Sequence, residues 1–375
     1  MAGLYLHIPF CKQACHYCNF HFSTSLKQKD SMIMAILKEL TLQKDYLEGE
    51  PIQTIYFGGG TPSLLTREEL LRIFEKIYAL HAVEAGAEIT LEANPDDLDT
   101  AKLRALKNTP INRLSIGTQS FFEADLRFMN RAHSAEEAKN CIQEAQAIGF
   151  SNLTIDLIYG TPTTTNAHWE QNIQTVLHFD IPHISCYCLT VEPNTALANF
   201  VEKGKVPPVE EEKAAQQFEI LVNRLQGAGY EHYEISNFAK PNRHARHNAN
   251  YWLGAKYLGV GPAAHSFNGY SRQWNVAHNT QYIKSLNKHN LAFEKEILTK
   301  EQQYNEYILT ALRTKWGCDL KKIIDWGKDF QTHFEKISTP FLHQDLIQQK
   351  NDIFTLTDKG KLLADKIAME LFFTE

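Results

Sequence analysis

Residues 5–18 read Tyr5-Leu6-His7-Ile8-Pro9-Phe10-Cys11-Lys12-Gln13-Ala14-Cys15-His16-Tyr17-Cys18, an apolar strand-like run followed at once by three thiols spaced Cys-x3-Cys-x2-Cys. Soft thiolates at this spacing wrap one corner of an iron–sulfur cube. A structural zinc site also takes thiolates, with four ligands in all, and His16 or His21 stands near enough in the chain to be the fourth. The motif alone leaves both metals open, and the surrounding chain has to choose.

Further strand-like runs follow the first, at 3–8, at 54–57, 88–92, 113–117, 153–159 and 181–189. Amphipathic segments separate them, with helical spacing clearest over 30–47, 67–80, 135–148 and 169–177, and Ser134 placed as an N-cap before Glu136 and Glu137. Six βα units in succession predict an α/β fold with a parallel sheet. The alternation fits a barrel and an open doubly wound sheet equally well.

In both architectures chemistry gathers where strands end. Gly58-Gly59-Gly60-Thr61-Pro62 follows the second strand, and its missing side chains admit close backbone approach to a ligand. Glu92-Ala93-Asn94-Pro95 closes the third, with a carboxylate suited to a ribose diol. The fourth ends on Ser115-Ile116-Gly117-Thr118-Gln119, Arg131-Ala132-His133 precedes the fifth, and Asp156 begins the run through Gly160 to Pro162 that closes it. Each segment has an ordinary reading alone: a turn, a solvated carboxylate, a surface ion pair, a cap. Their recurrence at successive strand ends favours a site.

With 375 residues, 43% of them hydrophobic, the chain is long enough for one large domain and a small one. A formal net charge of -6 gives no general basic surface, which argues against a mainly electrostatic nucleic-acid binder. No run approaches the roughly 18 apolar residues of a membrane span, and the chain starts on a strand rather than a signal peptide, so a cytoplasmic location without stable membrane insertion is expected. Of the cysteines outside the motif, Cys141, Cys186 and Cys188 read as small buried hydrophobes, and Cys318 as structural. After about residue 298 the pattern changes to short helices, a strand-like piece at 352–356 and a last helix at 357–371, which resembles a winged-helix appendage. Its mixed charges favour packing or partner docking over DNA binding.

Together, the three-cysteine loop, the glycine run, Glu92 and the later strand-end motifs resemble the radical S-adenosylmethionine (SAM) family. That resemblance implies a partial (βα)6 TIM-like barrel with the small C-terminal winged-helix-like domain attached. It also implies a 4Fe-4S cluster on Cys11, Cys15 and Cys18, whose open iron holds the amino and carboxylate groups of SAM. An external electron donor is part of the same expectation. Across nearly the whole chain the match is to the oxygen-independent coproporphyrinogen oxidase family, above all its heme-chaperone branch. By that resemblance Tyr5, Gly59 and Glu92 serve the cluster-bound SAM. Tyr17, Gly60, Thr61, Gln119, Arg131 and Asp156 correspond to positions that contact a second SAM in the oxidase branch.

Two functions follow: oxidative decarboxylation of coproporphyrinogen III, or binding of heme and its delivery to an acceptor protein. Oxidase members extend the motif with a further Cys where this chain has Phe20, and they carry an N-terminal extension, whereas ten residues precede Cys11 here. Arg246-His247-Asn248-Ala249-Asn250-Tyr251-Trp252 resembles the His-Asn-x-x-Tyr block of the chaperone branch. A neutral imidazole ligates heme iron and aromatic faces pack on the macrocycle, so His247 with Tyr251 and Trp252 forms a sensible tetrapyrrole site. His247 could equally order its loop, with His244 and His265 as alternative ligands, and Arg243 and Arg246 could face propionates or solvent. The expected organisation is a barrel over 1–235, a heme-associated elaboration over 236–298 and the C-terminal domain over 299–375. The expected function is heme transfer.

Overall fold

The computed structural model describes residues 2–374. Six parallel strands form its centre: β1 (Ala2–Ile8), β2 (Ile52–Gly59), β3 (Val83–Ala93), β4 (Arg113–Gln119), β5 (Leu153–Tyr159) and β6 (His183–Cys188). Between them run α1 (Lys29–Leu42), α2 (Arg67–Leu80), α3 (Thr100–Lys107), α4 (Glu123–Phe128), α5 (Ala135–Ala147) and α6 (Asn166–His178). Local chemistry fixes the helix starts. Thr66 with Glu69, and Ser134 with Glu137, each form a reciprocal capping box that satisfies two otherwise orphaned backbone groups.

The strands lie side by side in sequence order with no reversal, which is barrel winding; a doubly wound sheet would reverse at a switch point. Right-handed crossovers then put every helix on one face. Leu4, Leu6, Ile55, Phe57, Leu91 and Ile116 are fully or almost fully buried on that face, in one core with Ile33, Ile36, Leu70 and Ile73 of the helices. Side chains alternate along a strand, so the intervening residues form the concave face, and apart from Ile158 these are polar, aromatic or glycine. Register aligns Tyr5 with Tyr56 and Tyr56 with Thr90, then Glu92 with Ser115, and Asp156 with Ser185.

After β6 come α7 (Ala196–Glu202), α8 (Glu211–Gly227), β7 (Glu231–Glu234) and β8 (Asn237–Ala239). They are followed by α9 (Arg246–Trp252), β9 (Lys256–Val260), β10 (His265–Phe267), β11 (Ser271–Asn275), α10 (Asn279–Asn287) and β12 (Phe293–Ile297). β8 pairs antiparallel with β6, and β9 pairs parallel with β1 on the far side, so the sheet ends on β7 and β12 and the barrel stays open.

The C-terminal region holds α11 (Lys300–Leu312), β13 (Cys318–Asp319), α12 (Leu320–Trp326), α13 (Lys328–His343), β14 (Ile347–Lys350), β15 (Ile353–Leu356), α14 (Asp358–Lys361) and α15 (Ala364–Glu370). It has its own core around Tyr304, Ile308, Phe334, Phe354 and Ile367. The expected single helix over 357–371 is two, the first ending at Lys361 and the second beginning at Ala364, and within the first Gly360 is pressed so closely on Leu346 that a Cβ would lie 1.9 Å from its carbonyl oxygen. The expected helix over 30–47 ends at Leu42, and the chain turns through Glu48 and Gly49, both at positive φ. Among the described residues no helix is long and apolar enough to cross a membrane.

Candidate cluster and cofactor site

The three thiols stand on a loop fastened at several points. Cys11 donates its backbone N–H to Ser23 O at 3.0 Å, Ser23 donates to Pro9 O at 2.9 Å, and His16 donates to Met129 O at 3.1 Å. Gln13 and Asn130 exchange side-chain-to-carbonyl bonds, Gln13 to Asn130 O at 2.9 Å and Asn130 to Ala14 O at 2.8 Å. Cys11, Cys15 and Cys18 line one cavity of about 430 Å³ at the carboxyl ends of the strands.

Among the described residues no three His, Cys, Asp or Glu side chains gather closely enough for a single ion. A cube is larger than an ion and takes its thiols from further apart. Burial pushes the Cys11 thiol up to about 11 and the Cys18 thiol upward as well, so ionising them takes positive charge delivered by the metal itself. Arg131 adds a fixed cation: one guanidinium nitrogen donates to Cys15 Sγ at 3.2 Å, and another to Asn94 Oδ1 at 2.5 Å and Gly117 O at 2.7 Å. Its Nε is buried with no hydrogen-bond partner, which leaves one donor for a bound group. Donor set and loop geometry fit an iron–sulfur cluster.

The glycine run binds this loop to the barrel. Thr61 donates its N–H to Phe10 O at 2.6 Å and Gly60 donates to Ile8 O at 2.9 Å. A Cβ on Gly60 would stand 2.6 Å from Phe10 O, and one on Gly59, whose φ is +102°, would stand 2.6 Å from the His7 ring. Only glycine serves at either place.

Glu92 and Asp156 face the same cavity from β3 and β5. Tyr56 donates its hydroxyl to Glu92 Oε1 at 2.6 Å, and Ser115 donates to Asp156 Oδ2 at 3.2 Å. Burial raises Glu92 to about 7 and Asp156 to about 6, and in Glu92 the Asp156 charge adds to the effect. Two carboxylates poised near neutrality beside a cavity mark a site for a polyhydroxyl or cationic ligand. Tyr17, Gly59, Gly60, Thr61 and Gln119 line it too, with Gln119 in the left-handed backbone region at the end of β4.

Tyr5 and His247 lie elsewhere. Tyr5 lines a second, larger cavity, and its hydroxyl sits 3.2 Å from His7 Nδ1. His247 is 2% exposed and lines neither cavity. Its Nδ1 is 2.8 Å from Thr54 Oγ1 and its Nε2 is 2.9 Å from Tyr251 Oη, while the ring stacks on Tyr56 at 5.0 Å. Burial lowers its pKa to about 3. The His-Asn-x-x-Tyr block is thus a partition: His247 inside the wall, Asn248 on the cluster cavity, Tyr251 and Trp252 on the larger one.

Tyr56, Asn94, Ser185 and Tyr187 also line the cluster cavity and escaped sequence reasoning as separate site residues. The period-two register from Tyr5 across β2 to β6 was the signal that could have found Tyr56, Ser185 and Tyr187.

The Radical SAM superfamily pattern matches residues 5–176, and the HemN C-terminal domain pattern matches residues 298–363. Heme chaperone HemW of Bacillus subtilis is 33% identical over 374 residues, covering 98% of each chain. The protein of the same name from Mycobacterium tuberculosis is 32% identical over 98% of this chain and 94% of its own. Coproporphyrinogen III oxidase (HemN) from Escherichia coli, a radical SAM enzyme, shares the fold at a TM-score of 0.86 and 23% identity, over 99% of this chain and 90% of that one. With near-complete coverage at such identity, the chain belongs to the HemW family of the radical SAM superfamily.

Proposed function

We propose that this chain is a heme chaperone: it binds heme and hands it to an acceptor protein, in the cytoplasm, on a scaffold that carries a 4Fe-4S cluster and SAM. The observation that carries the reading is the likeness to the heme chaperones over the full chain, joined to a cavity where three thiols, a glycine run and two poised carboxylates meet. Cys11, Cys15 and Cys18 hold the cluster. Bound there, it supplies an open iron for an amino-acid group and a route for one electron from an external donor.

The chain's own residues do the rest. Arg131 braces Cys15 against Asn94 and the end of β4, which fixes the distance from thiol to cavity floor. Gly59 and Gly60 bring bare backbone against the ligand, and Glu92, held by Tyr56, accepts from hydroxyls. Tyr17, Thr61, Gln119 and Asp156 complete the wall around SAM. Tyr5 stands behind Tyr56, with ring centroids 6.1 Å apart, and stiffens that wall from the other side.

The test is transfer. Anaerobically reconstituted protein loaded with one heme should pass it to an apo-hemoprotein, followed by the acceptor's Soret band. Conversion of coproporphyrinogen III to protoporphyrinogen IX by the same preparation would contradict the chaperone reading.

A further inference from the structure

We infer that Arg131 sets the reduction potential of the cluster: acting through Cys15, it holds a positive charge against one thiolate and makes the cube easier to reduce. This role rests on the 4Fe-4S cluster of the proposed function and adds what tunes it.

Each of the three thiols meets a hydrogen-bond donor. Cys11 accepts from the Thr61 hydroxyl and Cys18 from the Phe20 backbone N–H, both neutral groups. Cys15 accepts from a guanidinium nitrogen of Arg131 at 3.2 Å, and that donor is charged. A charge-assisted bond is roughly twice as strong as a neutral one, so the three sulfurs are not equivalent.

The cation has no anion of its own. Its other hydrogen bonds go to neutral oxygens, Asn94 Oδ1 at 2.5 Å and Gly117 O at 2.7 Å, and it pairs with no carboxylate among the described residues. The acidic groups around it are engaged elsewhere: Asp96 takes Lys12 at 3.0 Å, Asp156 accepts from Ser115 at 3.2 Å, and Glu92 accepts from Tyr56 at 2.6 Å. Burial pushes the Tyr17 phenol upward, so it stays neutral beside the guanidinium. Asn94 follows β3 and Gly117 lies in β4, so the barrel wall fixes where the charge stands.

A cation in a cavity wall without a carboxylate is balanced by charge arriving at the sulfur. Reduction brings that charge. The external donor loses one electron, the oxidised cluster gains it, and part of the added negative charge falls on the thiolates. Arg131 therefore favours the reduced form, as net charge and hydrogen bonds to the sulfurs of a cluster do generally.

Midpoint potentials of the anaerobically reconstituted full chain, read from the electron paramagnetic resonance signal at poised potentials without SAM, test this. Arg131→Gln should shift the reduction equilibrium toward the oxidised cluster by about tenfold, or about 59 mV for a one-electron couple. Arg131→Lys keeps the charge and should stay nearer to wild type, even where it retains less cluster. Asn94→Asp leaves Arg131 in place and sets a carboxylate against it, so it should lower the potential as well. A mere brace would change the amount of cluster retained and leave the potential of the surviving cluster unmoved. Midpoints of Arg131→Gln and Asn94→Asp that match wild type therefore overturn the inference and leave the cluster standing; where Arg131→Gln retains no cluster, Asn94→Asp decides. Absence of a 4Fe-4S signal in wild type overturns the cluster reading, and the inference with it.

Discussion

Tyr251 Oη lies 2.9 Å from Nε2 of His247, joining a side chain that faces the larger cavity to one sealed in the wall behind it. His247→Ala would strand the fully buried Thr54 hydroxyl and the Tyr251 hydroxyl, and would remove a ring stacked on Tyr56. We expect a loss of about 2 to 4 kcal/mol, from buried polar groups left unpaired and a cavity left unfilled. Thermal or denaturant unfolding of the cofactor-free protein measures it. A change below the error of such an experiment would show that the partition does not depend on this ring.

Gly60 carries a different kind of constraint. Its hypothetical Cβ meets the backbone of Phe10 and Ile8, which cannot step aside as a flexible side chain would. Gly60→Ala should therefore pry the cluster loop from the end of β2 and cost about 1 to 3 kcal/mol. Iron bound after reconstitution should fall in parallel, read by colorimetric iron and sulfide assays on protein that remains folded by circular dichroism.

Arg131 links three partners through a planar fork that an ammonium cannot reproduce. Arg131→Lys keeps the charge yet leaves Asn94 Oδ1 or Gly117 O without its donor, at a cost of about 1 to 3 kcal/mol. Lower cluster retention during gel filtration, with near-normal initial loading, is the expected pattern.

The two raised carboxyls give the cofactor-free protein a pH signature. Glu92 at about 7 and Asp156 at about 6 both stand above their unfolded values through burial. A carboxyl raised in the fold contributes stability that is complete at acid pH and is lost as pH climbs through the folded value. Stability to denaturant should thus decline between about pH 4 and pH 7, by on the order of a few kcal/mol in all. Glu92→Gln should flatten the upper part of that decline. SAM carries positive charge, so its binding to the cluster-loaded protein should strengthen over the same range.

Much of the fold and of the site is legible in the chain itself. The strand-end motifs at 58–62, 92–95 and 115–119 all reach one cavity with the three cysteines, because period-two alternation and barrel winding leave them nowhere else to go. Periodicity does not separate barrel from doubly wound sheet, since the distinction lies in strand order, which only long-range pairing fixes. His247 shows the limit at the site. An imidazole between Arg246 and Asn248 reads the same whether it points to a ligand or into a wall.

The most direct measurement is the electron paramagnetic resonance spectrum of anaerobically reconstituted, dithionite-reduced protein, recorded with and without SAM. Three protein thiolates and one open corner require a 4Fe-4S signal that SAM perturbs and that Cys15→Ser removes. Uptake of zinc without iron and sulfide, or a cluster signal indifferent to SAM, would contradict the account.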